Sequence, residues 1–387
     1  MSASLLKTIE GVMRSDRRSG GALPLMLGLL SKAYGGAVSL RKNSYEKHLF
    51  TKERLPCPVI SVGNITVGGT GKTPLTIYMA KTLLQEGMRV AIVSRGYRGA
   101  AGKKGAIVSN GEKSLLNASQ AGDEPLMMAQ ELPGVPVVVG RDRARAGRIA
   151  IREFQPDVIL LDDGFQHLRL FRDIDIVLMD TLHPFGNGYL LPRGTLREPV
   201  PGLKRGDLFI FTRSDRADQE QKNRSLEALT RIVPGKPVFH GIHEPYIKRI
   251  TGKHSTTFRS LDKSLLQGSK VAVFSGIADN EGFKKSMESW GALPVAFFPF
   301  MDHHTYTLEE MREMAAVAKK NGAQFMVTTE KDYVRLPPAA AASMDLAVID
   351  VRISLGEGAN RFSALILSRI NDFHSGKNKG AEKRNDL

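Results

Sequence analysis

The sequence predicts an α/β protein: a mostly parallel sheet, a second and smaller α/β unit after it, and an apolar, basic helix before both. Three observations carry that expectation. From Pro58 onward, short apolar runs alternate with amphipathic stretches, the pattern of strands whose crossover helices cover a sheet. Around 214–236 the charged stretch SDRADQEQKNRSLEALTRIVPGK ends in Pro-Gly, after which the alternation resumes. The 387 residues exceed what one ordinary core holds and suit two domains of moderate size.

Taken in order, the predicted strands of the first unit are 58–64, 89–96, 135–140, 156–163, 174–180 and 207–213. Between the first two, TPLTIYMAKTLLQEG reads as a helix with Leu75, Met79, Leu83 and Leu84 on one face and Gly87 as its stop. RDRARAGRIAIREF, 141–154, is a second and strongly basic helix. Beyond the junction, SKVAVFSG, LPVAFFPF, QFMVTTEKD and DLAVIDVRIS alternate with helical stretches such as TLEEMREMAAVAKKNGA. The expected division is therefore a membrane-associating segment over 1–46, a core domain over 47–232, a smaller α/β domain over 233–373 and a disordered polar tail over 374–387.

Composition narrows the setting. Hydrophobic residues at 42% and charged residues at 25% are the proportions of a globular protein, which argues against a disordered chain or a polytopic membrane protein. The net charge of +15 predicts attraction to something anionic, whether nucleic acid, anionic lipid or a phosphorylated substrate. The single cysteine, Cys57, cannot form an intramolecular disulfide, and no Cys/His cluster has zinc-site spacing, so a reducing, cytoplasmic setting is expected. Residues 21–40, GALPLMLGLLSKAYGGAVSL, are apolar over a spanning length but interrupted by Pro24, Lys32 and four glycines. With Lys7, Arg14, Arg17, Arg18, Arg41, Lys42 and Lys47 around it, the segment suits the membrane interface better than a crossing. The alternative is a core helix with solvated basic edges.

The stretch SVGNITVGGTGKTPL, residues 61–75, ends as a phosphate-binding loop ends. In the usual G-x-x-x-x-G-K-[ST] spacing, however, the first glycine falls at position 66, where this chain has Thr66. A predicted strand ending at Asn64 leads through Gly68, Gly69, Thr70 and Gly71 into a helix starting near Lys72, which aims backbone N–H groups at a phosphate. Pro74 falls in the first turn, where its missing N–H costs little. Val67 to Pro74 thus form the expected nucleotide cradle, Lys72 reaching the β- and γ-phosphates and the Thr73 hydroxyl ligating Mg²⁺. The bland alternative is a glycine-rich turn.

Four further stretches carry candidate chemistry. VILLDDGFQH ends a strand in Asp162 and Asp163, the position from which a phosphate-loop enzyme holds magnesium, with His167 either supporting them or merely a surface histidine. AGDEPLMMAQ sets Asp123 at a helix start, where it reads as an N-cap or as a carboxylate facing the phosphates. FFPFMDHHTYT offers Asp302, His303 and His304 on a loop; a histidine reaching across a domain cleft suits a general base if Asp123 or Asp302 orients it. LLPRGTLREP carries Arg193, Arg197 and Glu198 on a rigid loop suited to substrate or phosphate contact, or simply to a surface turn.

Together, GNITVGGTGKTP, SRGYRG, GDEP, LLDDGFQH, LPRGTLREP, DHHTYT and TTEKDYVRL closely resemble, in order and form, the motifs of tetraacyldisaccharide 4'-kinase, the lipid A 4'-kinase of Gram-negative bacteria. The resemblance runs from about Leu25 to about Asp372. It implies a P-loop core with a smaller C-terminal domain hinged by β-strands, held at the cytoplasmic face of the bacterial inner membrane by an N-terminal helix. It implies ATP and Mg²⁺ as cofactors and the 4'-hydroxyl of a tetraacylated glucosamine disaccharide 1-phosphate as acceptor, with no nucleic acid and no obligate protein partner. By matching motif, Asp123 and His303 form a catalytic dyad and Lys72 and Thr73 take the loop roles. Asp162 and Asp163 face the metal, Asp163 more closely, and Glu198 is linked to it. Tyr97, Arg98, Arg197 and His167 are the implied substrate contacts. The family admits Ser or Thr where Thr66 stands. One departure is SRGYRG, which lacks the glycine expected between Tyr97 and Arg98.

Two other classes are disfavoured. A GTPase switch should carry an N-K-x-D base-reading motif, and TEKD at 329–332 is the nearest approach. A nucleic-acid binder should interleave aromatics with its basic residues, which a single Trp290 and dispersed tyrosines do not supply.

Overall fold

The computed structural model describes residues 9, 11–13, 21–252, 263–343 and 345–376. The expected basic residues Lys7, Arg14, Arg17 and Arg18, and the polar tail from 377 onward, lie outside the described residues.

Apolar alternation does produce two mostly parallel sheets. The first has eight strands: β1 (Val59–Asn64), β2 (Val90–Ser94), β3 (Ala106–Asn110), β4 (Pro136–Val139), β5 (Val158–Asp162), β6 (Ile174–Asp180), β7 (Leu208–Thr212) and β8 (Val238–His240). Their order is β3-β4-β2-β5-β1-β6-β7-β8, parallel throughout except that β3 runs against β4. The second sheet contains β9 (Ile242–Ile250), β10 (Lys270–Ser275), β11 (Leu293–Pro299), β12 (Phe325–Thr329) and β13 (Leu346–Ser354) in the order β11-β10-β12-β13-β9, with β9 antiparallel.

The strands β3, β8 and β9 have no counterpart in the expectation, and all three lie at sheet edges. An edge strand is only half covered, so it does not read as a continuous apolar run, and β9 carries Pro245, which an edge tolerates.

The first core forms on both faces of the first sheet. On one side Ile60, Val62 and Ile92 meet α2 (Lys72–Gln85) through Leu75, Met79 and Leu83, all nearly inaccessible. On the other, Val59, Ala91 and Leu161 meet α5 (Arg143–Phe154) through Ala144, Ala146 and Ala150. The remaining helices of this lobe include α1 (Ala22–Glu46), α3 (Ala118–Ala121), α4 (Asp123–Glu131) and α6 (Gln219–Thr230). The second sheet carries α7 (Asn280–Ser289), α8 (Leu308–Lys320), α9 (Glu330–Tyr333) and α10 (Pro338–Ser343).

The expected division at 233 does not follow the sheets. β8 is hydrogen-bonded to β7, and the final helix α11 (Ala359–His374) buries Phe362, Ile366 and Ile370 in the first core, beside Met79 and Leu83. The reason is topological: the chain crosses to the second sheet at Gly241, between β8 and β9, and returns after β13 to finish on the first. The two crossing strands, β9 and β13, are paired with each other.

Helix α1 has two distinct faces. Pro24, Leu27, Ser31 and Gly35, spaced three and four apart, are buried. Leu25 (66% exposed), Met26, Leu29, Leu30 and Leu40 point outward. The buried face rests on the 190–197 loop: Ser31 Oγ donates to the Leu190 carbonyl (2.8 Å), Tyr34 to the Arg197 carbonyl (2.7 Å), and Arg193 to the Pro24 carbonyl (2.9 Å). Gly35 lets the helix approach closely there, since a Cβ would lie 2.6 Å from the Leu190 side-chain tip and displace it. Among the described residues, α1 alone is long and apolar enough to cross a membrane.

Candidate active site

The phosphate loop leaves the C-terminal end of β1, the central strand whose neighbours are β5 and β6. In an open α/β sheet, that is where a ligand crevice forms. Gly68 and Gly71 take φ of 121° and 88°, and Gly71 precedes α2 with no side chain capping the helix. The helix N-terminus is thus open to an anion. Asn64 Nδ2 donates to Thr70 Oγ1 (2.9 Å), while Lys72 Nζ is 3.4 Å from Asn64 Oδ1.

The structure explains Thr66. Val67 N–H donates to the Thr195 carbonyl and Arg197 N–H to the Ile65 carbonyl, both at 2.7 Å, and Thr66 pairs antiparallel with Leu196. The first part of the loop is therefore a short ladder in extended backbone, where glycine has no advantage. The same ladder ties the loop to the 190–197 segment on which α1 rests.

Parallel register brings the acidic pair alongside, because Val62 of β1 stands opposite Asp162 of β5. Asp162 is buried and receives Thr76 Oγ1 (3.4 Å) and Ser94 Oγ (3.3 Å). Burial, reinforced by Glu124 and Asp163, pushes its carboxyl up to about 7. Asp163, at φ 55°, is different: Arg197 Nη1 donates to both its oxygens (2.8 Å), and Lys72 Nζ is 3.7 Å away. Burial works against its charge, but Lys72 and then Arg197 outweigh it and hold the carboxyl below its ordinary value.

Glu198 does not stand open as a ligand. Gln166 Nε2 donates to one oxygen and to the Asn64 carbonyl, and Arg205 Nη2 donates to the other, all at 2.8 Å. It braces the loop after Asp163 against β1. Among the described residues there is no group of three or more His, Cys, Asp or Glu arranged to hold a metal by itself. Two strand-end carboxylates beside a phosphate loop suit magnesium, which takes one or two carboxylates and completes its shell with phosphate oxygens and water. The raised Asp162 carboxyl is the group whose charge such a cation would restore.

Asp123 is not an N-cap. Gly122 takes that position, and the Asp123 side chain makes no capping bond. Instead its Oδ2 lies 2.8 Å from His303 Nδ1, across the gap between the two sheets. His303 sits at φ 63° after β11, and its Nε2 is 3.8 Å from Asp302 Oδ2. His304 turns the other way, to Glu310 (3.1 Å), and stacks on Phe300. Thr307 and Glu310 form a capping box at the start of α8, which anchors the end of the histidine loop.

The other expected contacts divide. Tyr97 is exposed with its ring 5.8 Å from that of His303, and Arg98 Nη1 is 3.4 Å from the Asp302 carbonyl. Arg98 adopts φ 60°, a conformation glycine takes at little cost, so the tight turn survives without the expected glycine. Arg197 is engaged by Asp163. His167 packs apart from these, its side chain 14% exposed and 3.9 Å from Asp142; burial, then Arg143, lowers it to about 3.

Several residues at the site were not expected. Lys331 Nζ donates to Glu124 (2.8 Å), and that cation chiefly holds the Glu124 carboxyl below its ordinary value. Arg335 Nε lies 3.4 Å from Asp123 Oδ2. Arg213 Nη2 donates to the Gly69 carbonyl (2.6 Å), and His243 of β9 presses on Gly71 so closely that no side chain could stand there. The sequence signal for two of them is TTEKDYVRL, which carries Lys331 and Arg335; Arg213 and His243 stand outside every motif.

A family model described as tetraacyldisaccharide-1-P 4'-kinase matches residues 23–371. A tetraacyldisaccharide 4'-kinase of Desulfatibacillum aliphaticivorans is 40% identical, covering 95% of this chain and 99% of its own. Another from Syntrophus aciditrophicus (strain SB) is 39% identical, covering 92% and 96%. Among solved structures, that of LpxK from Aquifex aeolicus in complex with ATP superposes with a TM-score of 0.71 at 31% identity, covering 90% of this chain and all of that one.

Proposed function

The chain belongs to the tetraacyldisaccharide-1-phosphate 4'-kinase family, and from that premise we propose how its own residues carry the reaction. The enzyme transfers the γ-phosphate of ATP, with Mg²⁺, to the 4'-hydroxyl of a tetraacylated glucosamine disaccharide 1-phosphate. The observation that carries the assignment of roles is the Asp123–His303 contact, which spans the two lobes.

His303 accepts the proton of the sugar hydroxyl on its free ring nitrogen, Nε2, while Asp123 holds Nδ1 and stabilises the imidazolium that results. In this reading Nδ1 carries the hydrogen toward Asp123 and Nε2 is the base. Lys72 and the open N-terminus of α2 stabilise the phosphate charge that develops during transfer. Thr73, Asp162 and Asp163 would hold the magnesium, which would neutralise phosphate charge during transfer. Glu198 acts through Gln166 and Arg205 as a brace for that group. Tyr97 and Arg98 border the acceptor site beside His303.

The acceptor is an acylated lipid, and α1 suits delivery from a membrane surface. Its outward leucines enter the interface of the inner membrane from the cytoplasmic side, while its inner face reports to the phosphate loop through the 190–197 segment. The measurement that tests the whole reading is transfer of labelled γ-phosphate to the disaccharide 1-phosphate in detergent micelles. ATP consumption that ignores the acceptor would sink it.

A further inference from the structure

The histidine loop and the segment TTEKDYVRL form one hydrogen-bonded unit in the second lobe. At its centre Asp332, fully buried, accepts from Gly276 N–H (2.9 Å), Tyr306 Oη (2.8 Å), Thr329 Oγ1 (2.5 Å) and Arg335 Nη2 (2.9 Å). Arg335, only 6% exposed, gives its single Nε hydrogen to the Lys331 carbonyl (2.8 Å) and its other donors to the loop. Nη1 donates to the His304 carbonyl (2.8 Å) and Nη2 reaches the Gly276 carbonyl (3.3 Å). That Gly276 carbonyl also accepts the backbone N–H of His303 (3.0 Å). The same guanidinium, through Nε, lies 3.4 Å from the Asp123 carboxylate.

One side chain thus binds the carbonyl of the residue after His303 and the carbonyl that receives the His303 N–H, and sets its charge beside the carboxylate that His303 faces. Two features indicate that this bracket is needed. His303 is held at φ 63°, a region costing about 1 kcal/mol or more for a residue with a Cβ, which persists only when its surroundings impose it. Gly276 leaves no room for a side chain, since a Cβ there would lie 2.9 Å from the Met301 carbonyl and 3.2 Å from Asp332. A planar fork with five donors can serve the Asp332 carboxylate and three carbonyls while keeping its charge beside Asp123, which an ammonium cannot.

We propose that Arg335, set by Asp332, is a positioning residue that fixes the Asp123–His303 pair across the two lobes. This rests on the reading of that pair as the hydroxyl-activating group. Arg335 acts on the reaction through the pair, so its effect should vanish when the pair is already broken.

The experiment is a double-mutant cycle on the full-length enzyme, with phosphate transfer to the acylated disaccharide 1-phosphate measured in micelles. The variants are Arg335→Lys, His303→Ala and the combination. Arg335→Lys should lower kcat by about tenfold to a hundredfold with the KM for ATP kept within about twofold. In the His303→Ala background it should cost less than about twofold further. An equal loss in both backgrounds, no loss in either, or a raised KM for ATP at unchanged kcat overturns the proposal. If the Lys variant does not fold, as its thermal transition would reveal, Asp332→Asn replaces it, with the same non-additivity expected. Wild-type turnover in His303→Ala alone defeats the reading of the pair, and this inference with it. A crippled His303→Ala with additive Arg335→Lys defeats only the inference.

Discussion

His303 Nδ1 lies 2.8 Å from Asp123 Oδ2, although 180 residues and two separate sheets stand between them. The contact exists only while the lobes keep their present relation, so the base is assembled by tertiary structure. Asp123→Ala and His303→Ala should each lower kcat by about 10²–10⁴-fold, the usual contribution of a positioned base. The KM for ATP should change little, because neither side chain belongs to the phosphate loop. Steady-state kinetics on both variants check this, and normal turnover in either removes that residue from the mechanism.

Lys248 of β9 is the counterpart of that contact on the structural side. Its Nζ meets Glu131 of α4 (2.9 Å), Asp350 (3.0 Å) and Glu330 (3.2 Å). Burial opposes its charge, yet Asp350 and Glu330 outweigh burial and raise it above its ordinary value. Lys248→Met leaves the buried Glu330 and the half-buried Asp350 without that cation and should cost about 3–5 kcal/mol in stability. Urea unfolding at neutral pH measures it. A loss below about 1 kcal/mol would mean that the cluster behaves like an exposed pair.

The outward face of α1 can be tested without disturbing the inner one. Leu25→Glu with Leu29→Glu removes two exposed leucines, each worth about 1.5–3 kcal/mol when buried in lipid. Binding to anionic vesicles in a flotation assay should fall by at least about tenfold, with activity on micellar substrate kept. Unchanged vesicle binding would refute docking through this face. Deleting residues 1–40 is a poorer test, since Ser31 and Tyr34 hold the 190–197 loop that pairs with the phosphate loop.

Burial, followed by Arg213 and Arg216, lowers His243 from 6.5 to about 4. The fold therefore keeps it neutral while an unfolded chain takes up a proton below about 6.5, so its contribution is complete above that pH and is lost as pH falls toward 4. The loss amounts to about 3 kcal/mol at most across that window. His243→Gln should flatten the decline in stability between pH 6.5 and 4, read from urea midpoints at each pH. An unchanged slope would show that other groups account for it.

Edges and crossings were the parts of the fold least legible in the sequence. The six strands expected in the first unit are present because each is buried on both faces and reads as an apolar run. The edge strands β3, β8 and β9 carry no such signature, and the return of α11 to the first core joins residues nearly three hundred positions apart. At the site, the glycine loop and the strand-end aspartates were legible because local backbone demands determine them. The fork of Arg335 was not, since an arginine four residues after Lys331 looks like any helix-end cation until the histidine loop arrives beside it.

By itself, then, the sequence determined what depends on near neighbours along the chain: the phosphate loop, its helix, the buried strands and the family. Tertiary structure alone decided which groups meet. It showed why Thr66 needs no glycine, set Asp123, which its local sequence leaves open between helix cap and site carboxylate, against His303 as the family resemblance implies, and closed Glu198 between Gln166 and Arg205. The physical reason is range. Backbone conformation and apolar periodicity act over a few residues, whereas hydrogen bonds and ion pairs between lobes depend on distances that only the packed sheets set.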